Sequence, residues 1–276
     1  MRKLKYIFTI PYYIIKEPSN KGFRFKHLMM ALGWQLWKRT VGSLIIKTLD
    51  NDALFILDPK SGNSVGAIYT RIYESRHVNF VRKHIIPGGI MIDVGAHTGL
   101  YSLLFKHLIR RAVLFEPASD TLKLLTRNMQ INNFDFDIRS SAVGSQSGLC
   151  QFKITGENSA TNHISVSGVP TPMCALDDVL SDINDMTFLK IDTEGGELGV
   201  LEGAELLLKR NPSSIIQVEV TGDRSPVVNI LEIYGFKVYG FDDHASLKKY
   251  DGQVEIIDDL IAFGPAHPFN HSYQNA

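Results

Sequence analysis

Acidic and glycine residues follow an apolar segment in the first half of the sequence. Asp93 lies near the end of the segment Ile90–Val94, and Gly95 and Gly99 come directly afterwards. This pattern is typical of a buried strand that turns sharply at a glycine and continues into a helix. Ligands of open parallel sheets bind beyond the carboxyl ends of the strands. We therefore interpret the loop that begins at Asp93, including Ala96, as a nucleotide-binding loop.

The loop departs from the G-x-G-x-x-G pattern of dinucleotide-binding proteins. His97 stands at the position of the middle glycine, so a pyrophosphate loses its close approach to the backbone. The next predicted strand ends at Glu116, whose carboxylate is suited to accept both hydroxyls of a ribose and disfavours a 2′-phosphate. A ligand without phosphates is favoured. In a purely structural alternative, Asp93 and Glu116 only cap helices.

These features predict S-adenosylmethionine (SAM) as the cofactor. Gly95 and Gly99 are expected beside its amino-acid part, Glu116 on its ribose, and Ser141 and Ala142 beside its adenine. The predicted cofactor-binding residues are Asp93, Gly95, Ala96, Gly99, Glu116, Ser141, Ala142 and Asp192.

A second acidic cluster follows another apolar segment. Asp192, Glu194 and Glu197 come directly after the predicted strand Thr187–Ile191, and Glu219 lies at the end of a later predicted strand. If these strands neighbour the first one, the carboxylates enter the same crevice. As an alternative, Glu194 and Glu197 only cap a helix and order the loop.

If the methyl acceptor is a hydroxyl, these carboxylates are candidates for the catalytic base. An alcohol has a high pKa, so a base that takes its proton in the transition state adds roughly 10²- to 10⁴-fold in rate. The candidates for this base, in order of preference, are Asp192, then Glu219 and Glu194, then His97. As an alternative, Asp192 and Glu219 coordinate a divalent metal that orients the acceptor; the sequence predicts no dedicated metal site.

Alternating strands and helices must position these residues. From Ile90 onward, apolar strand-like segments alternate with amphipathic segments, which predicts an α/β fold with a mostly parallel sheet and helices on both faces. The alternation breaks at an extra strand, Cys150–Ile154, and a polar insertion, Gly156–Gly168, which is a candidate cover for the acceptor. Segments near Lys237–Phe241 and Glu255–Phe263 have no convincing helix between them, so we predict an antiparallel hairpin at the sheet edge.

The motifs together resemble the FkbM family of SAM-dependent methyltransferases. The resemblance covers roughly residues 65 to 240 and rests on Asp93–Ser102, Phe115–Pro117, Leu176–Asp177, Lys190–Gly195 with Glu197, and Leu201–Ala204. It implies the class I methyltransferase fold, which is Rossmann-like with a seven-stranded sheet. It also implies a SAM cofactor and transfer to a hydroxyl oxygen, often on a sugar or other natural product. The sequence departs from the family at His97, where Asn is usual, and at Ala175, where Thr is usual.

Composition and charge exclude several classes of protein. The chain has 276 residues and no net charge, with 29 basic and 29 acidic residues. The first 40 residues hold nine basic residues against Glu17 alone, so the remainder is acidic and generic nucleic-acid binding is not expected. Cys150 and Cys174 are the only cysteines. They exclude a disulfide framework and a Cys-rich zinc site, and they favour a cytoplasmic protein.

The basic first 40 residues are also rich in aromatic and aliphatic residues. The apolar stretch Tyr6–Ile15 is too short to span a bilayer and contains Pro11, and Lys16–Pro18 stands where a signal peptide has small residues. Either these residues pack on the main domain, or they contact a membrane surface or a glycolipid, or they form a cleaved targeting segment. We place an N-terminal extension and hairpin at residues 1–60 and the methyltransferase domain at residues 61–276.

Three functions remain open from the sequence. The first is a SAM-dependent O-methyltransferase that acts on a small-molecule or glycan acceptor. The second is a nicotinamide-dependent oxidoreductase, which Glu116 favours but which the missing middle glycine and the lack of a Tyr-x-x-x-Lys pattern oppose. The third is a non-catalytic SAM-binding module, which the acids at positions 192, 194 and 219 oppose.

Overall fold

The structure is a computed structural model that describes residues 2–59, 61–154, 162–252, 256 and 259–272. Part of the polar insertion, residues 155–161, and the start of the last predicted strand, including Glu255, lie outside the described residues. The helices are α1 (Arg2–Lys16), α2 (Arg24–Thr40), α3 (Gly62–Tyr69), α4 (Ser75–His84), α5 (Leu100–Leu104), α6 (Ser119–Gln130), α7 (Leu176–Val179), α8 (Glu197–Glu202), α9 (Glu205–Arg210), α10 (Ser225–Ile233) and α11 (Phe269–Ser272), with a short 3-10 helix at Pro18–Asn20.

As the sequence predicts, strands alternate with helices from residue 90 to residue 139 and again from residue 176 to residue 241, and the alternation breaks between them. The strands are β1 (Ile45–Thr48), β2 (Leu54–Leu57), β3 (Ile90–Val94), β4 (Arg111–Phe115), β5 (Phe136–Arg139), β6 (Ala142–Val143), β7 (Gly148–Lys153), β8 (His163–Ser165), β9 (Val169–Cys174), β10 (Met186–Ile191), β11 (Ile215–Val218), β12 (Lys237–Phe241), β13 (Leu247–Lys249) and β14 (Leu260–Phe263).

In the described part of the chain, eight strands form the main sheet in the order β13-β12-β14-β11-β10-β3-β4-β5. The five strands from β11 to β5 are mutually parallel, whereas β14 is antiparallel to both of its neighbours. Strand β10 neighbours β3, so the two acidic clusters lie side by side, as the sequence predicts. The α/β fold class is therefore confirmed.

The predicted antiparallel pairing of the last two strands is present as β12 and β14, and β14 also pairs with β11. The sheet differs from the sequence prediction in two places. Among the described residues it has eight strands instead of seven, because the largely exposed strand β13 is added beyond β12. The segment Phe136–Val143, which the alternation predicts as one strand, is split, since Ala142 and Val143 pair with β9 in a second sheet of order β6-β9-β7-β8.

The described part of the first 60 residues packs on the main domain. Ile14 of α1 and Trp34 of α2 are buried in the same core cluster as Val78 and Leu103. The predicted hairpin at residues 44–57 is present as β1 and β2, and the Asn128 side chain of α6 accepts a hydrogen bond from the Ile56 N–H. No helix in the described ranges has both the length and the apolar character needed to cross a bilayer.

Candidate active site

A cavity of about 240 Å³ opens at the carboxyl ends of β3, β4, β10 and β11. It brings together ten of the eleven residues that the sequence nominates for cofactor binding or catalysis. They are Asp93, Gly95, Ala96, His97, Glu116, Ser141, Ala142, Asp192, Glu194 and Glu219. The two acidic clusters therefore line one site.

Gly95 joins the two clusters. It has a φ of +81°, and a Cβ built at this position would lie 1.8 Å from the Asp192 carbonyl oxygen. The Asp192 N–H also donates to the Val94 carbonyl at 3.0 Å. Only glycine lets the turn after β3 pass this close to the end of β10, so the glycine at position 95 fixes the distance between the clusters.

Gly99 lies outside the cavity wall, although the sequence suggested a place beside the ligand. Its φ is +76°, and an added Cβ would lie 2.4 Å from Met129 Cε and 2.6 Å from Leu125 Cδ1. The glycine is therefore needed for the close approach of the loop to α6. The sequence interpretation placed Gly99 in contact with the cofactor. The structure instead places it outside the cavity wall, where packing against α6 accounts for the glycine.

The carboxyl groups of Asp93 and Glu116 are both buried, and both accept hydrogen bonds. Asp93 Oδ2 accepts from Ser102 Oγ at 2.6 Å, and burial raises the pKa of Asp93 to about 6 despite this bond. Glu116 accepts one backbone N–H on each oxygen, from Ala118 at 2.8 Å and from His97 at 2.9 Å. Burial raises the pKa of Glu116 to about 7 even though these two bonds oppose it. Each Glu116 oxygen keeps a lone pair for a further donor.

His97 is held as a neutral side chain. Its backbone is in the left-handed region, with φ of 49°, and its Nδ1 lies 3.3 Å from Thr98 Oγ1. Burial lowers the pKa of His97 to about 4, although the nearby Asp192 opposes this shift. At neutral pH the imidazole therefore carries no charge into the cavity.

Asp192 and Glu219 form a carboxyl pair at the ends of β10 and β11. They share a hydrogen bond, and burial together with the charge of Asp192 raises the pKa of Glu219 to about 8. Near neutral pH Glu219 therefore holds a proton that it is able to give up or share with a neighbouring acceptor.

Lys190 is a site residue to which sequence reasoning gave no role. It is 2% exposed, and its Nζ lies 3.4 Å from Asp192 Oδ2 and 3.4 Å from Asp259 Oδ2. Burial lowers the pKa of Lys190, but the charges of Asp192, Asp259 and Glu74 outweigh burial and hold it well above its usual range. A lysine inside the apolar strand Met186–Ile191 is the signal that points to it, because a buried ammonium requires acidic partners.

A buried chain of hydrogen bonds supports this lysine. Gln217 Nε2 donates to Asp259 Oδ2 at 2.7 Å, and the Tyr101 hydroxyl donates to Gln217 Oε1 at 2.6 Å. The Tyr101 ring lies 5.3 Å from Lys190 Nζ. Residues from α5, β10, β11 and the segment before β14 thus fix the ammonium beside Asp192.

Glu74 is a second cavity residue that sequence reasoning left without a role. It lines the cavity in a left-handed conformation with φ of 46°, directly before α4. Burial raises the pKa of Glu74 to about 7, against the opposing charge of Lys190. Its buried Oε2 has no hydrogen-bond partner among the described residues. The only sequence signal is its place within residues 65 to 240, the range that resembles the family.

Glu194 and Glu197 have different roles. Glu197 Oε1 accepts from the Thr193 N–H, the Thr193 hydroxyl and the Gly195 N–H, so this side chain orders the loop after β10, as the structural alternative holds. Glu194 lines the cavity with φ of 56°, and burial, reinforced by the charge of Asp192, raises its pKa.

The other end of the cavity is largely apolar. Ser141 and Ala142 line it together with Phe115, Phe152 and Ile164. Phe152 and Ile164 face each other across the β7–β8 pair, so the described part of the polar insertion does border the cavity. Within the described ranges, no group of three or more His, Cys, Asp or Glu residues is arranged to hold a metal ion.

Comparison with known proteins gives a family match over most of this site. Residues 93–249 match the family described as the methyltransferase FkbM domain. No curated protein matches the chain.

Several solved structures are similar at low identity. A methyltransferase FkbM from Methylobacillus flagellatus KT is 16% identical, with 86% of this chain and 60% of that chain covered and a TM-score of 0.44. A precorrin-6y C5,15-methyltransferase from Geobacter metallireducens GS-15 is 15% identical, with coverage of 69% and 89% and a TM-score of 0.41. A tRNA (uracil-54, C5)-methyltransferase from Pyrococcus abyssi, in complex with S-adenosyl-L-homocysteine, is 12% identical, with coverage of 80% and 43% and a TM-score of 0.42. Because the family match spans more than half of its residues, the chain belongs to the FkbM methyltransferase family.

Proposed function

We propose that the protein is a SAM-dependent O-methyltransferase that acts on a hydroxyl of a small molecule, in particular a sugar or glycan or another natural product. Membership of the methyltransferase family supports methyl transfer.

The charge of the cavity is the observation that carries the proposal. Six carboxyl groups line it against one ammonium group, that of Lys190, and His97 is neutral. SAM carries a positive sulfonium, a positive ammonium and a negative carboxylate group, so its net charge is positive and the cavity carboxylates attract it. A nicotinamide dinucleotide carries a negative pyrophosphate, which the same carboxylates repel. The acidic lining therefore favours SAM over the oxidoreductase cofactor.

The individual side chains also fit SAM. Glu116 retains an acceptor site on each oxygen, which suits the two hydroxyls of a ribose. The apolar end formed by Phe115, Phe152 and Ile164 suits an adenine ring. Glu74 Oε2 is a buried acceptor with no partner among the described residues, and it suits the ammonium group. These three features account for the nucleoside and for the amino-acid part of the cofactor.

The carboxyl pair suits an oxygen acceptor. When bound, SAM supplies an electrophilic methyl group, and the acceptor hydroxyl has to lose its proton as the new bond forms. Asp192, held by Lys190 at 3.4 Å, takes this proton in our proposal, and Glu219 shares it through their hydrogen bond. Glu194 borders the same space, and Asn162 and Thr193 offer polar atoms for the hydroxyls of a sugar.

Calorimetric titration of the purified protein tests the cofactor. We expect SAM and its demethylated product S-adenosylhomocysteine to bind with micromolar affinity and NAD to give no signal. Binding of NAD without SAM binding would overturn the proposal. A turnover assay with a chelator present separates the carboxyl-pair mechanism from metal assistance: unchanged turnover would exclude the metal, since the pair needs none.

Substitution of Asp192 tests the base. Asp192→Asn keeps the shape of the side chain but removes its ability to accept a proton. We expect turnover with a hydroxyl acceptor to fall by about 10²- to 10⁴-fold while the affinity for SAM changes little. Equal losses of turnover and SAM affinity would make Asp192 a cofactor-binding residue instead. A wild-type chain that binds SAM but is inactive on a panel of glycan acceptors would favour the non-catalytic alternative.

A further inference from the structure

One side of helix α2 exposes a row of large apolar side chains. Phe25, Met29, Leu32 and Leu36 are between 51% and 77% exposed. Their spacing of four, three and four residues places them on one side of the helix, over a length of about 16 Å. We call these four residues the outer row of α2.

The outer row is not part of the hydrophobic core, because the opposite side of α2 is the side that packs on the domain. His27, Ala31 and Trp34 are buried, and His27 Nδ1 lies 2.9 Å from the Ile68 carbonyl oxygen. The helix is thus fixed on the domain, and its outer row faces away from it. In α1, Tyr12, Tyr13 and Ile15 are also exposed.

Basic side chains surround the outer row. The exposed cations in and beside the two helices are Lys16, Lys21, Arg24, Lys26 and Arg39. Glu17 is the only acid among the first 40 residues, and it is engaged: its Oε1 accepts from the Ser19 N–H at 3.1 Å and from the Ser75 hydroxyl at 2.6 Å. The surface therefore combines apolar side chains with a strongly positive charge.

We propose that the outer row of α2, with the cations around it, docks on the surface of an anionic lipid bilayer. Large apolar side chains on one helical side bury in the acyl boundary, while lysines and arginines at the rim pair with anionic headgroups. A second copy of the chain is disfavoured as the occupant, since it would bring two positive surfaces together. A nucleic acid is disfavoured because four aliphatic or aromatic side chains in a row match no phosphate backbone.

Hydrogen bonds connect this surface rigidly to the wall of the cavity. Asn20 Nδ2 donates to the Tyr69 carbonyl at 2.8 Å, and Asn20 Oδ1 accepts from the Arg71 N–H at 2.8 Å. Two residues farther along the chain, Tyr73 and Glu74 line the cavity. A docked bilayer would thus lie beside the segment that borders the active site. A docked bilayer would bring a membrane-bound methyl acceptor close to the active site, and this step rests on the proposed function. Bilayer docking itself does not depend on that function.

Vesicle co-sedimentation of the full chain, without SAM or acceptor, tests the docking. Vesicles of phosphatidylcholine and phosphatidylglycerol in equal parts should bind the protein, and vesicles of phosphatidylcholine alone should bind it much more weakly. Binding should fall at high salt, because surface charges are then screened. The assay requires no methyl transfer, so its failure is distinguishable from failure of the proposed function.

A matched pair of double variants tests the surface. Leu32→Glu with Leu36→Glu should lower the vesicle partition coefficient at least about tenfold. Leu206→Glu with Ile233→Glu adds the same charge at exposed apolar positions on α9 and α10, which are 54% and 79% exposed, and should leave binding within about threefold. Lys26→Gln and Arg39→Gln should each weaken binding about fivefold.

Tryptophan fluorescence gives a second test on the unaltered chain. Its two tryptophans, Trp34 and Trp37, both lie in α2, so the intrinsic emission reports on this helix alone. We expect vesicles with brominated acyl chains to quench the emission, mainly through the partly exposed Trp37.

Four results would overturn the proposal. One is equal binding to neutral and anionic vesicles, and another is equal binding by the two double variants. The third is self-association in solution that the Leu32→Glu and Leu36→Glu changes abolish, which would make the outer row an interface between copies. Absence of quenching in bound protein would likewise place α2 away from the bilayer.

Discussion

Replacement of Lys190 by methionine is the sharpest test of the electrostatics of the site. Methionine keeps most of the length of the side chain and removes its charge. The variant leaves the carboxylates of Asp192 and Asp259 without the ammonium that lies 3.4 Å from each of them. Because Lys190 is 2% exposed, water cannot replace it.

The size of the effect follows from these distances. At 3.4 Å and an effective dielectric constant of about 20, one ion pair is worth about 5 kcal/mol. Solvent screening reduces this value at Asp192, whose side chain is 34% exposed, and burial of the ammonium costs several kcal/mol. We therefore expect Lys190→Met to lower the free energy of unfolding by about 3 to 5 kcal/mol near neutral pH, the usual cost of removing one partner of a buried pair.

The loss of stability should depend on pH. Burial alone would raise the pKa of Asp259, but Lys190, His77 and the bond from Gln217 outweigh it and hold the pKa below its usual range. The stabilisation from this pair is thus present above the unfolded pKa of about 4 and is lost as the pH falls through the folded pKa. In the variant the buried carboxyls are protonated more readily, so the difference from wild type should be smaller at about pH 5 than at about pH 8.

Guanidinium unfolding at these two pH values measures the effect. Lys123→Met, at an exposed position of α6, is the matched control and should change the stability by less than about 0.5 kcal/mol. A Lys190→Met protein as stable as this control, or one with the same loss at both pH values, would refute the assignment of Lys190 as the charge that holds the carboxylates together.

Three further substitutions test the remaining parts of the site. Glu116→Gln should weaken SAM binding about 10- to 100-fold in calorimetry, since an amide N–H₂ replaces one acceptor oxygen; unchanged affinity would contradict the ribose assignment. In wild type, kcat should rise with pH up to about pH 8, where Glu219 loses its proton, and this inflection should be missing from the pH profile of Glu219→Gln; its persistence would assign it to another group. Gly95→Ala should lower the free energy of unfolding by about 3 kcal/mol or more, because its Cβ would lie 1.8 Å from the Asp192 carbonyl oxygen. Gly88→Ala, with φ of +85° and open space, should cost only about 1 to 2 kcal/mol, and equal losses would refute the contact.

The parts of the fold that depend on local pattern could be predicted from the sequence. The spacing of the apolar residues predicts the alternation of strands and helices between Ile90 and Ile233, outside β6–β9. This alternation places the ends of β3, β4, β10 and β11 together. The insertion of β14 between β11 and β12 could not be predicted in this way. Pairing between distant strands depends on which edge buries Leu260–Phe263, and no local pattern specifies it.

The residues of the candidate site also fall into those that a local sequence pattern predicts and those that it does not. Asp93, Glu116, Asp192 and Glu219 could be nominated because each lies at or near the end of a strand. The role of Lys190 could not be predicted, because it depends on the ion pair with Asp259. Asp259 is distant in the chain and enters the site only because β14 packs beside β11.

The raised pKa values of the cavity carboxyls explain how the fold tolerates them, and they support the proposed preference for a cationic ligand. Burial raises the pKa of Asp93 to about 6, of Glu74 and Glu116 to about 7 and of Glu219 to about 8. Near neutral pH much of their negative charge is therefore neutralised by protons, which lowers the cost of burying six acids around one cavity. We expect a cationic ligand to favour their ionised forms and so to displace protons, whereas a negatively charged phosphate disfavours the ionised forms. The same burial that makes these acids costly to the fold is thus the reason that we expect binding to depend on the charge of the ligand.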